Sequence, residues 1–145
     1  MTTEPAIYLF VYGTLRRTCS TGAHKIYLND AEFIGDAKLQ ATLFCVSYYP
    51  AIVLSDEDTW VIGEVYRLTG DKQLQALDEY EECAPPTNNN HEYKRELTQV
   101  QLANGESLMA WTYIYNRSTK ELTQITSGDF LQHPPLNAIN TSINY

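Results

Sequence analysis

The side chains best suited to chemistry in this chain are carboxylates at the end of one amphipathic segment, "TGDKQLQALDEYEE". Good helix formers fill it, and Thr69 or Asp71 offers a polar start suited to an N-cap. At about 100° per residue, Leu74, Leu77 and Glu81 fall within roughly 60° of one another, on the face that must pack against a sheet. Glu79 points roughly the opposite way, and Glu82 lies about 80° around from Leu74. The run Asp78-Glu79-Tyr80-Glu81-Glu82 is therefore not one solvated patch. Glu81 alone continues the apolar stripe. A carboxylate placed there loses hydration and meets the negative end of the helix dipole; both effects favour the neutral acid and suit the group to general acid–base work. The structural alternative is a side chain that escapes into water at the rim of the last turn.

A second candidate is Glu64. In "WVIGEVYRL" a strand puts Trp60, Ile62, Glu64 and Tyr66 on one face and Val61, Gly63 and Val65 on the other. If the first face is internal, Glu64 is a rival base; its structural reading is an ion pair, with Arg67 or Arg95 as partner. The third candidate is backbone. "YLFVYGTLRR" is an apolar run that stops at Gly-Thr-Leu. A strand end of this kind can present successive N–H groups to an anion or a carbonyl oxygen, and glycine lets the chain approach closely. By itself it is equally a plain turn.

Other chemistries find no support. His24, His91 and His133 share no metal-ligand spacing, and Cys19, Cys45 and Cys83 form no CxxC pair. No metal is expected, and the cysteines read as reduced packing residues of a cytosolic protein. Phosphate-cradling glycine loops and nucleophile elbows are absent from the sequence. A net charge of −8 argues against a nucleic-acid surface, which needs clustered Lys and Arg. No apolar run approaches the roughly 20 residues of a membrane helix, and the first residues lack a secretory pattern. A cytoplasmic protein with a small-molecule partner is expected, of undetermined oligomeric state. Eleven tyrosines, each tolerant of a half-buried site with one wet end, suit the lining of a cavity as well as a sheet surface.

The elements that must position these groups are mostly strands. Ala6–Tyr12 reads as a buried strand, and 30–44, broken by Gly35, as a bent or bulged pair of short strands. Residues 51–54 and 60–68 read as a hairpin around the acidic turn 55–58. The helix follows, then a loop rich in Pro and Asn, "CAPPTNNNHE". Residues 92–102 alternate, Asn104-Gly105 marks a tight turn, and 107–115 return. The expectation is one α+β domain over residues 1–145, a mostly antiparallel β-barrel flanked by one main helix and short helices, with a surface tail from about 131.

In this order the motifs resemble the γ-glutamylcyclotransferase-like superfamily, in its γ-glutamylamine cyclotransferase or AIG2-like branch. "VYGTLR" (11–16) is similar to the signature loop, and "YPAIVL" with "VIGEVYRL" to the central hairpin. "LDEYE" (77–81) is similar to the helix end that bears the catalytic glutamate. "YKRELTQVQLANG", "AWTYIY" and "SGDF" complete the set over most of the chain. The resemblance implies that Glu81 is the general acid–base and that Tyr12, Gly13, Thr14 and Leu15 hold the γ-glutamyl group. Many members have Gly after that glutamate; here it is Glu82, and the 83–92 loop is long. These departures bear on the substrate more than on the chemistry.

The implied reaction is intramolecular aminolysis. A γ-glutamyl amine closes to 5-oxoproline and expels its amine, with neither metal nor organic cofactor required. Tyr113 and Tyr115, on one face of a returning strand, are candidate hydrogen-bond partners for the substrate, or core tyrosines. The alternative class is a non-catalytic module that keeps the cavity and binds a metabolite or protein. Hydrolysis ranks last, because no Ser or Cys stands with a partner base.

Overall fold

The computed structural model describes residues 6–13, 28, 30–46, 49–55, 58–80 and 93–130; the side chains at 49 and 78–80 also lie outside the description. Its elements are β1 (Tyr8–Val11), β2 (Glu32–Val46), β3 (Tyr49–Leu54), β4 (Trp60–Arg67), helix α1 (Asp71–Tyr80), β5 (Tyr93–Leu102), β6 (Ser107–Tyr115) and β7 (Thr123–Gln124). Pairing runs β2–β4–β1–β6–β5 and returns to β2 through Ala37↔Leu102 and Lys38↔Gln101, which closes a five-stranded barrel. Closure removes the free edges that an open sheet of this size would expose. Every pairing is antiparallel except β1 with β6, where Leu9 partners Trp111. The expected α+β barrel with one main helix is the architecture found.

Alternation decides what lies inside. Along β2, Ala37, Leu39, Ala41 and Leu43 are buried while Asp36 and Gln40 are exposed. Ala37 and Leu39 pair with Gly63 and Val61, so the Val61-Gly63-Val65 face of β4 points inward. Phe10, Val100, Ala110 and Ile114 join them in the core. Two polar side chains are also buried there: Thr98 and Thr112, whose hydroxyls lie 2.7 Å apart and satisfy each other.

Two expectations are corrected. Residues 32–46 form one strand of 15 residues rather than two, with a register irregularity between Phe33 and Gly35. The ladder to β4 resumes directly after it, with Phe33 opposite Tyr66 and Gly35 opposite Val65. Nor do β3 and β4 pair as a hairpin: β2 lies between them, pairing its Glu32–Gln40 half with β4 and its Ala41–Val46 half with β3. At about 3.3 Å per residue β2 spans roughly 50 Å, long enough to template both neighbours. Leu54 and Trp60, the facing ends of β3 and β4, lie on opposite edges of β2. Ala41 N–H donates to Thr59 O at 3.1 Å, and the Thr42 and Thr59 hydroxyls lie 3.3 Å apart.

The β5–β6 hairpin forms as read. Gly105 takes φ 92° in its turn, a left-handed conformation that favours glycine, and Asn104 Oδ1 accepts from the N–H of Glu106 at 2.9 Å. Helix α1 begins at Asp71, so the cap position falls on Gly70, between the two polar candidates Thr69 and Asp71. Gly70 O accepts the first helical bond from Leu74, and Gln73 Oε1 reaches back to the Thr69 N–H at 2.8 Å. Leu74 and Leu77 are buried, which fixes the inner face of the helix. No helix among the described residues is long and apolar enough to cross a membrane.

Candidate active site

Strand β1 is the scaffold of the site. Leu9, Phe10, Val11 and Tyr12 are all fully buried, held between β4 on one side and β6 on the other. The Tyr12 side chain continues the inward face of Phe10, with ring centroids 6.1 Å apart, and its hydroxyl donates to the carbonyl of Tyr113 on β6. That bond ties the residue after the strand across the ladder, just before Gly13. The tyrosine hydroxyl is thus engaged by the protein itself. Gly13 is buried directly after it.

Close approach in this corner depends on a glycine in the neighbouring strand. A Cβ added at Gly63 would stand 2.2 Å from Val11 O and 2.6 Å from Phe10 Cζ. Neither contact is tolerable, so Gly63 sets how near β1 lies to β4. This residue was not singled out in the sequence; the signal for it was a glycine inside a strand pattern.

Glu64 follows Gly63 on the opposite face. The first-named face of β4, Trp60-Ile62-Glu64-Tyr66, points out of the barrel, half-covered at the Trp60 end and closed at the Glu64–Tyr66 end. Glu64 is 1% exposed, and its Oε1 accepts from the Tyr66 hydroxyl at 3.1 Å. It is therefore buried without being inside the barrel. Arg67, considered as its ion-pair partner, falls on the other face of β4 and is exposed. The Arg95 guanidinium lies over the Trp111 ring, 4.5 Å from its centroid.

Tyr113 and Tyr115 share the outward face of β6 and are both buried. Tyr115 packs edge-on against Tyr93 at 5.5 Å, and the Tyr93 hydroxyl donates to Pro50 O at 2.7 Å. The structure thus brings Tyr12, Gly13, Tyr113, Glu64 and Tyr66 to one region around the end of β1. Thr14, Leu15 and Glu81 lie outside the described residues, as do Glu82, Cys19, Cys83 and the three histidines. Among the described residues no group of three His, Cys, Asp or Glu could hold a metal ion.

The "SGDF" motif proves to be a clasp. Gly128 takes φ 73°, and a Cβ there would meet Trp60 O at 2.0 Å; its own carbonyl accepts from the Ile62 N–H at 2.8 Å. Phe130 is buried beyond it. A groove of about 470 Å³ lined by described residues lies elsewhere, along Leu39, Leu54, Trp60, Leu97 and Val100. Its lining holds no titratable side chain, so it offers nothing for acid–base chemistry.

Comparisons with known proteins agree with this fold. The profile of the family "Gamma-glutamyl cyclotransferase, AIG2-like" matches residues 9–132. A relative from Niallia circulans, Gamma-L-glutamyl-butirosin B gamma-glutamyl cyclotransferase, is 35% identical over 111 residues, covering 75% of this chain and 67% of that protein. The gamma-glutamylcyclotransferase family protein YtfP of Escherichia coli K12 is 32% identical over 124 residues, 85% of this chain and 95% of its own. Among solved structures, an AIG2-like protein from mouse superposes over 98% of this chain and 100% of its own, with TM-score 0.70 at 24% identity, a likeness of fold. YkqA from Bacillus subtilis reaches TM-score 0.68 at 26% identity over 92% of this chain, which spans 43% of that longer protein. With a barrel of this topology and a profile match across nearly its whole length, the chain belongs to the AIG2-like γ-glutamyl cyclotransferase family.

Proposed function

We propose that this protein converts a γ-glutamyl amine to 5-oxoproline and a free amine by intramolecular aminolysis. The observation that carries the reading is the likeness to a relative named for γ-glutamyl cyclotransfer, together with the anchoring of the chain at Tyr12, just before Gly13. The substrate's α-amine attacks its own γ-carbonyl. The new C–N bond closes a five-membered lactam, the old C–N bond breaks, and no water is consumed. The ammonium gives up two protons in becoming the lactam nitrogen; one protonates the leaving nitrogen and the second is taken up by the released amine.

Because the attack is already unimolecular, the protein's first task is to fold the substrate into its cyclising conformer. In this reading the backbone N–H groups from Gly13 through Thr14 and Leu15 hold the α-carboxylate or the developing oxyanion. Tyr12 acts through its main chain, and Tyr113 and Tyr115 border the same region. Glu81 serves as base toward the ammonium and then as acid toward the leaving nitrogen. The burial of Leu74 and Leu77 agrees with the inner face that the sequence pattern assigns to this helix. No step calls for a metal or an organic cofactor.

The test is Glu81→Gln against a panel of γ-glutamyl amines, with 5-oxoproline followed by mass spectrometry. The wild type releases 5-oxoproline from at least one of them, and the variant loses that release while keeping its melting curve. An active Glu81→Gln protein moves the base elsewhere. Free glutamate as product indicates hydrolysis, and binding of 5-oxoproline without turnover of any compound indicates a non-catalytic module.

A further inference from the structure

Glu64 is a buried acid that the proposed reaction leaves without a task. It is 1% exposed, its Cα partners are Val11 on β1 and Asp36 on β2, and Tyr66 donates to its Oε1 at 3.1 Å. Tyr66 is itself held edge-on by Phe33, with centroids 5.5 Å apart. For stability alone this is a poor choice of residue. A carboxyl group loses hydration on burial and must be held by polar partners. Valine, which the same strand uses at 61 and 65, would need none.

The register shows what the acid adjoins. Odd-numbered residues of β1 share its face, so Val11 lies beside it and the next position on that face is Gly13. Tyr12, between them, points inward and is tied to Tyr113. The end of β1 is thus held from two sides: by the Tyr12 hydroxyl within the barrel, and by Glu64, itself held by Tyr66, beside Val11 on the outer face.

We infer that Glu64, fixed by Tyr66, is a positioning residue that sets the path of the main chain through Val11–Gly13 and so the affinity of the site for the γ-glutamyl group. The inference rests on the functional reading above and adds a residue to its binding half. Glu64 acts through the loop and not on the reacting atoms, because at this burial it touches protein.

The experiment compares wild type, Glu64→Gln and Tyr66→Phe in steady-state kinetics on a γ-glutamyl amine and in calorimetric titration with 5-oxoproline, well below each melting temperature. Glu64→Gln is expected to raise KM and weaken 5-oxoproline binding by about tenfold each, with kcat within about threefold, the signature of lost uniform binding. Tyr66→Phe moves both in the same direction by about threefold, since the carboxyl stays but loses its anchor. A purely structural role predicts a lower melting temperature with KM and affinity unchanged. If Glu64→Gln does not fold, Tyr66→Phe decides. An active wild type whose folded variants keep KM and affinity within about twofold overturns this role and leaves the functional reading standing. A wild type that neither releases nor binds 5-oxoproline overturns the functional reading, and this role with it.

Discussion

The hydroxyl of Tyr12 donates to the carbonyl of Tyr113, joining the residue just after β1 to the C-terminal part of β6 across a parallel ladder. Both residues are buried, so the bond is sheltered from water. Tyr12→Phe leaves the Tyr113 carbonyl short of this donor and is expected to cost about 1–3 kcal/mol. At this chain length that lowers the melting temperature by about 2–4 °C per kcal/mol, read by thermal or urea denaturation. The variant should still fold, because the ring remains.

Gly63→Ala is expected to be worse than its single added methyl suggests. The new Cβ would meet a backbone oxygen, Val11 O, at 2.2 Å, and backbone cannot swing aside as a side chain does. Strand β1 must shift, at an expected cost of about 1–3 kcal/mol or more. Since β1 carries Tyr12 and Gly13, kcat/KM on a γ-glutamyl amine should fall by more than the loss of folded protein explains. Equal losses in both would separate β1 from the site.

The paired hydroxyls of Thr98 and Thr112 invite a double-mutant cycle. Thr98→Val leaves the Thr112 hydroxyl without its 2.7 Å partner and is expected to cost about 1–3 kcal/mol. Replacing both by Val should cost less than the two single changes summed, with a coupling of about 0.5–3 kcal/mol. Strict additivity in urea melts would mean that the pair contributes nothing beyond packing.

Burial pushes the Cys45 thiol above its ordinary range. At a given pH it holds less thiolate than a free thiol, so alkylation should be slower and its pH profile displaced upward. Peptide mapping after a timed iodoacetamide pulse reads this site apart from the other cysteines. The sign for stability follows. A thiol harder to ionise when folded than when unfolded stabilises nothing at neutral pH and costs stability as pH rises through its unfolded pKa. Reaction at Cys45 as fast as a free thiol would show that the folded state leaves the thiol open.

Gln73→Ala tests the start of α1. It removes the side chain whose Oε1 accepts from both the Thr69 N–H and its hydroxyl. The expected loss is about 0.5–2 kcal/mol, as for other N-terminal capping groups. A melt indistinguishable from wild type would assign the helix start to Gly70 and packing alone.

Local signals in the sequence determined most of the elements. Alternation and turn residues placed β5, β6 and the Asn104-Gly105 turn, and the spacing of Leu74 and Leu77 gave the buried face of α1. These succeed because period and turn chemistry are properties of a few neighbouring residues. The partners of β3 and β4 were not legible, since a short acidic connection looks the same whether it closes a hairpin or crosses the end of a third strand. Nor did alternation along β4 say which of its faces was inward; the register with Ala37 and Leu39 decided that. The surroundings of Glu64, the clearance that Gly63 provides and the anchoring of Tyr12 on Tyr113 depend on contacts between residues far apart in the chain. Only the closed barrel brings those residues together, because a strand's pattern states which positions are buried but not what they are buried against.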